Sequence, residues 1–331
     1  MKKAVLATNS ISHLLVDAAC ASALFSCGGD LMILALVYNT LAFSTQCLVG
    51  LFTDRLFSTA RLTLIASLAV ALGCDLPLPD LLSVIIVGLG NSLFHVAAGT
   101  TTLKMSEGRA APLGIFVAPG AIGLALGTLF PWLGMLYSAL LVVFAALSLR
   151  FHSRVPAFLN LPPPQKPAKT WVIAVLIAAV AVRAIGGSAV SFPWKNGAGL
   201  TLLTVLFVYM GKTLGGFACD KLSARKTAVV SIPIAALCIA FLSAYIAPSL
   251  IGQLLLNLTM PITLWLLYKA MPDSPGTSFG LAASALWPGT LLGGLISLTG
   301  SLLWLLVLIC FALALIAILL SYKELNHEEI S

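Results

Sequence analysis

The sequence predicts an all-α membrane protein of twelve transmembrane helices, arranged as two pseudo-symmetric six-helix bundles. Of its 331 residues 60% are hydrophobic and only 9% charged, whereas a soluble domain carries roughly a quarter charged residues. There is too little polar surface to hold such a chain in water. Apolar runs recur along the whole sequence at close to the ~20 residues that a helix needs to cross ~30 Å of hydrocarbon. A short polar motif also returns at an offset of 166 residues, almost half the chain.

Read against glycine, proline and charged breaks, the apolar runs fall at residues 4–26, 31–52, 61–78, 81–104, 111–130 and 132–150. A second set falls at 170–192, 198–218, 227–246, 249–270, 278–298 and 301–322. The first run follows Met1-Lys2-Lys3 like a signal peptide. His13 and Asp17 interrupt it and no clean small-residue cleavage site follows, so it reads as a retained span. The expected domains are a bundle over 1–150, a linker over 151–169 stiffened by Pro162-Pro163-Pro164, and a bundle over 170–331.

Orientation follows from the lysines and arginines, which accumulate in cytoplasmic loops. With both termini inside, sixteen of the eighteen fall at that face; Lys195 lies outside and Arg183 within a span. A multi-pass protein of a cell membrane, the bacterial cytoplasmic membrane, is expected. The net charge of +7 is spread among short loops, which argues against nucleic acid as a partner. Seven cysteines show no metal-ligand spacing, so no metal is expected, and whether Cys27 and Cys74 pair near the outer surface stays open. Without a Walker-type loop, paired carboxylates or a nucleophile constellation, neither ATP, nor another cofactor, nor an enzyme is indicated.

The repeat sets Gly50-Leu51-Phe52-Thr53-Asp54-Arg55 against Gly216-Phe217-Ala218-Cys219-Asp220-Lys221. The same shift carries Asp17 onto Arg183 and Asn91 onto Asn257, while a slightly larger one relates Pro119-Gly120 to Pro288-Gly289. Their shared order argues for two halves related by a parallel repeat.

Ionisable residues inside spans are costly, by about 2.5–3.5 kcal/mol each on insertion scales, and are candidate functional groups. Asp17 and Arg183 each stand fourteen residues beyond a cytoplasmic lysine, Lys3 and Lys169, which puts both about 21 Å along their helices. His13 lies one turn before Asp17, and the same i,i+4 spacing joins Asn91 to His95 and Gln253 to Asn257. On this reading Arg183 attracts an anionic or polar group of the substrate while Asp17, with His13 or His95, exchanges a proton. The alternative is an Asp17–Arg183 ion pair that joins the halves, with Asn91, Gln253 and Asn257 as helix-to-helix hydrogen bonds. Gly114, Pro119, Gly120, Gly123 and Gly127, and then Pro288, Gly289, Gly293 and Gly294, supply close approach and bending.

Twelve spans, a central linker and the G-x-x-x-D-R/K loop after spans 2 and 8 resemble the major facilitator superfamily over nearly the whole chain. Phe57 and Ser223 stand where that loop has its second glycine. Gly88 to His95, followed by Ala97-Ala98-Gly99, is similar to the fosmidomycin-resistance branch, with Val96-Ala97 in place of Pro-Glu. Ala118-Pro119-Gly120-Ala121-Ile122-Gly123 is similar to the antiporter signature of drug exporters. The resemblance implies a cavity lined by spans 1, 4, 7 and 10, and a gating role for Gly50, Asp54, Arg55, Gly216, Asp220 and Lys221. It also implies a monomeric, proton-coupled exporter of a small organic molecule. The rival expectation is an importer, symporter or facilitator of an organic anion or nutrient, and more remotely a membrane enzyme or lipid-handling scaffold.

Overall fold

The computed structural model describes residues 2–55, 58–152 and 167–328. The proline run of the expected linker lies outside these residues. Among them every regular element is a helix, as expected where lipid offers the backbone no hydrogen bonds and each N–H and C=O must find its partner within the segment.

Ten helical stretches are long and apolar enough to cross a membrane. In chain order these include α1 (Lys2–Ser26), α2 (Leu31–Thr53), α4 (Asp80–Met105), α5 (Ala111–Leu129) and α6 (Pro131–His152), with α3 (Thr59–Asp75) between α2 and α4. They continue as α7 (Thr170–Ser188), α8 (Gly197–Leu222), α9 (Ala224–Phe241) and α10 (Ile246–Ala270). After the shorter pair α11 (Pro275–Ser284) and α12 (Leu286–Leu295) comes α13 (Gly300–Glu328). Polar side chains mark several starts. Asp30 accepts from the Met32 and Ile33 N–H groups, Ser58 from Arg61 and Ser223 from Lys226, each satisfying an N–H that has no intrahelical partner.

Local breaks fall where the sequence demands them. α5 is interrupted after Val117, where Pro119 removes a donor. α2 carries a π-turn over Thr40–Ser44, and α10 breaks at Leu258. The outward surfaces of these helices are apolar: Leu48, Ile65, Val143, Ile234 and Ile309 are all exposed, as lipid contact requires. Thr100, Thr101 and Thr102, deep in α4, each return their hydroxyl to the carbonyl four residues back, which satisfies these three buried donors.

By mutual contact the chain divides into two compact units. The first comprises residues 1–107, 115–164 and 274–280, the second 108–114, 165–273 and 281–331. In the first, α1 packs on α5 and α6, and α3 on α4 and α6; in the second, α7 packs on α12 and α13, and α9 on α10 and α13. One pairing pattern has been built twice. Its tightest contacts rest on glycine. A Cβ at Gly123 or Gly127 would lie 2.0 or 2.1 Å from the carbonyl oxygens of Leu14 and Ala18, and one at Gly289 or Gly293 would lie 2.4 or 2.5 Å from those of Ala181 and Ile185. Packing therefore matches Gly123 and Gly127 to Gly289 and Gly293 at the offset of 166, rather than Gly120 to Gly289 at the larger shift. A Cβ at Gly294 would meet nothing within 4 Å.

Candidate functional site

In the first unit α1 and α4 bring together the residues that the sequence singles out. His13 Nε2 and His95 Nε2 lie 2.8 Å apart, and each is 3.5 Å from an oxygen of Asp17. The Asn91 amide donates to Asp17 Oδ1 at 3.2 Å, which fixes the carboxylate plane. Both imidazoles are pinned from behind. His13 Nδ1 is 2.7 Å from the Phe116 carbonyl of α5, and His95 Nδ1 is 2.9 Å from the Asn91 carbonyl. The rings meet edge to face, with centroids 4.5 Å apart. His13, His95 and Asn91 are buried, and the Asp17 side chain keeps 19% of its surface exposed.

In the second unit the equivalent depth carries the opposite charge. Arg183 is buried and donates from Nη1 to Thr259 Oγ1 at 2.7 Å, just beyond the break in α10. That hydroxyl in turn donates to the Leu256 carbonyl at 2.8 Å. Among the described residues no carboxylate of its own unit pairs with Arg183. Asn257 donates to the Gln253 carbonyl at 2.8 Å, and its Cβ lies 2.9 Å from where a Cβ at Gly211 would sit. Asp17 and Arg183 thus find their hydrogen-bond partners inside separate units.

The two loop motifs make matching contacts. Asp54 accepts from the N–H groups of Gly276 and Thr277 at 2.6 and 2.8 Å and from the Thr277 hydroxyl at 2.7 Å, at the start of α11. Asp220 accepts from the N–H groups of Ala110 and Ala111 at 2.7 and 3.0 Å, at the start of α5. Both carboxylates meet the positive end of a helix through N–H groups that have no partner within it. Gly50 and Gly216 admit these helices: a Cβ would lie 2.4 Å from the Gly276 carbonyl oxygen and 2.6 Å from that of Ala110. A Cβ at Gly280 would likewise press on Gln46, and one at Gly114 on Lys212. Every member of the second set stands 166 positions from its counterpart in the first. Arg55 and Lys221, the next residues along, are exposed. Ser223 adopts φ +90°, a region that a glycine enters without strain, whereas Phe57 lies outside the described residues.

No family model and no curated protein matches the chain. Solved structures do, and 161 of their chains match. One is the major facilitator superfamily transporter FucP in its outward conformation, with a TM-score of 0.63, 12% identity, and coverage of 95% of this chain and 98% of that one. Another is a variant of the E. coli fucose:proton symporter FucP, with a TM-score of 0.61, 13% identity, and coverage of 96% and 98%. The chain has the major facilitator fold. At such identities the likeness is one of backbone architecture, and it spans both proteins almost end to end.

Sequence reasoning missed the groups that hold the chosen side chains: the Phe116 carbonyl, Thr259, and the backbone N–H groups at 110–111 and 276–277. The last two pairs were findable, because they too are separated by 166 residues. Cys27 and Cys74 are free thiols, donating to the carbonyls of Ala23 and Ala19. Burial and the Asp80 carboxylate push the Cys27 thiol up, which makes its reactive thiolate scarce.

Proposed function

We propose that this protein is a secondary active transporter of the major facilitator type, built from twelve spans in two six-helix bundles. It exports a small polar or anionic organic compound in exchange for protons by alternating access. α3 and the α11–α12 pair complete the twelve crossings, the transporter works as a monomer, and both termini face the cytoplasm. The observation that carries this reading is the pair of carboxylate caps, Asp54 on α11 and Asp220 on α5, built from repeat-related residues. Each cap holds a loop against a helix start through two backbone N–H groups. Two matched latches suit a scaffold that passes between two states of similar energy.

Arg183 supports the substrate class. A guanidinium stays charged even when buried, and Arg183 has only a hydroxyl as its described acceptor. An anionic group on the substrate would neutralise it. The Asp17 cluster, with His13 and His95, is the cation-accepting partner that balances transport, and Gln253 and Asn257 line the same depth in the second half. The nearest rival is an importer or symporter of an organic anion or nutrient, favoured by the named fucose:proton symporter among the structural neighbours.

Uptake of labelled organic acids, phosphonates and antimetabolites into proteoliposomes under an imposed pH gradient tests the proposal. Accumulation against the proton gradient, lost in Arg183→Ala and uncoupled from pH in Asp17→Asn, is the expected result. Unchanged transport and unchanged pH dependence in both variants would remove the assignment. Direction is read from a deletion strain: greater sensitivity to a transported antimetabolite means export, and greater resistance means uptake.

A further inference from the structure

The geometry points to a binding site for one divalent transition-metal ion, of the zinc or cobalt type, formed by His13 Nε2, His95 Nε2 and a carboxylate oxygen of Asp17. The argument begins at the far side of each ring. Nδ1 of His13 and Nδ1 of His95 face the carbonyl oxygens of Phe116 and Asn91 at 2.7 and 2.9 Å. A carbonyl only accepts, so each Nδ1 carries the hydrogen, and a neutral ring then presents a bare lone pair at Nε2. Those two lone pairs face each other across 2.8 Å, with the Asp17 oxygens 3.5 Å from each. Three ligand atoms, one from each residue, therefore converge within 4.8 Å of one another. Such an arrangement calls for a cation at its centre.

The donor set selects which cation. Two imidazoles and one carboxylate suit zinc, cobalt and their neighbours, whereas magnesium and calcium take oxygen ligands. Three protein ligands leave a fourth position open, and the Asp17 side chain is the least buried of the three. The outer layer is that of a metal site: backbone carbonyls fix both imidazole tautomers, and the Asn91 amide orients the carboxylate. Gly120 of α5 packs close against the trio and leaves room beside its ligand atoms that a Cβ would take, 2.4 Å from Asp17 Oδ2 and 2.5 Å from His13 Nε2. To seat the ion at ~2.0–2.1 Å from each nitrogen the rings part by a few tenths of an ångström. Sequence spacing hides the site, since its ligands come from two helices and His13 and His95 are 82 residues apart. The inference does not depend on the transport reading, because binding is measurable without transport.

The test uses the full-length protein, purified in detergent with any histidine tag removed, at about pH 7.5, where imidazole is free to coordinate. Calorimetry with zinc chloride and visible absorption with cobalt chloride are the readouts. The expected result is one ion per chain, a tetrahedral cobalt spectrum, and no comparable binding of magnesium or calcium. Asp17→Asn, His95→Gln and Gly120→Ala each weaken binding at least tenfold, while the control Asp80→Asn leaves it unchanged. Wild-type protein that binds neither zinc nor cobalt overturns the proposal. So does binding that survives unchanged in Asp17→Asn and His95→Gln, which would place the ion elsewhere. Histidine nitrogen NMR that finds a shared proton only, with no change on adding zinc, overturns it as well, and needs no variant that folds.

Discussion

The two halves of this protein agree where their loops meet helix ends and differ in the ionisable residues of mid-helix. At the loops, Asp54 and Asp220 approach equivalent N–H groups past equivalent glycines. In mid-helix, Asp17 of the first half corresponds to Arg183 of the second, His13 to Ala179 and His95 to Pro261. Duplication hands both copies the same geometry. What remains matched is the contact that both halves make in common, and what has diverged is the charge that each carries in mid-helix. Under the proposed function, latching belongs to the first kind, and recognition of charge to the second.

The largest effect should come from closing the glycine gaps. Gly50→Ala and Gly216→Ala each drive a methyl group against a carbonyl oxygen, 2.4 and 2.6 Å from the Cβ position, and such overpacking costs about 1–3 kcal/mol. Thermal unfolding in detergent should register similar losses in the two variants. A loss in only one would break the symmetry.

Next come the caps themselves. Asp54→Asn and Asp220→Asn remove charge-assisted bonds to helix N-termini worth about 1–2 kcal/mol, a five- to thirtyfold shift in a two-state equilibrium. The Asp54 change should be the greater, since only that carboxylate also accepts a hydroxyl, from Thr277. Cysteine accessibility on each face reads the shift, and Thr277→Val should bring the two caps level.

Smaller but more discriminating are the mid-helix changes. Arg183→Ala should raise the transport KM at least tenfold with little effect on pH dependence, and Asp17→Asn should flatten pH dependence with less effect on KM. Equivalent phenotypes would mean that the divergence carries no division of labour. Smallest is Ser223→Gly, which relieves the φ of +90° and should raise stability by up to about 1 kcal/mol, because a glycine cap costs only a few tenths.

Much of the architecture was legible, because lipid forces backbone satisfaction into helices whose length and apolarity can be read directly. The repeat was legible too, through Gly50, Asp54, Gly216 and Asp220. α3 and the α11–α12 pair were harder: α3 is 17 residues long, and α11 and α12 are separated at Ala285. The cost of charge within a span singles out Asp17, and i,i+4 spacing joins His13 to it and Asn91 to His95, but the convergence of the two pairs depends on which faces of α1 and α4 meet. Backbone partners were the least visible. A carbonyl such as that of Phe116 has no signature in the sequence, and its availability is decided by packing.

The account stands most directly on substrate counterflow in proteoliposomes, which requires one binding site to open alternately to each side. Wild-type protein should exchange labelled for unlabelled substrate with no gradient applied, and both Asp54→Asn and Asp220→Asn should slow that exchange while leaving substrate binding intact. Exchange at wild-type rates in the double variant Asp54→Asn/Asp220→Asn would contradict the claim that these repeat-related caps govern the cycle.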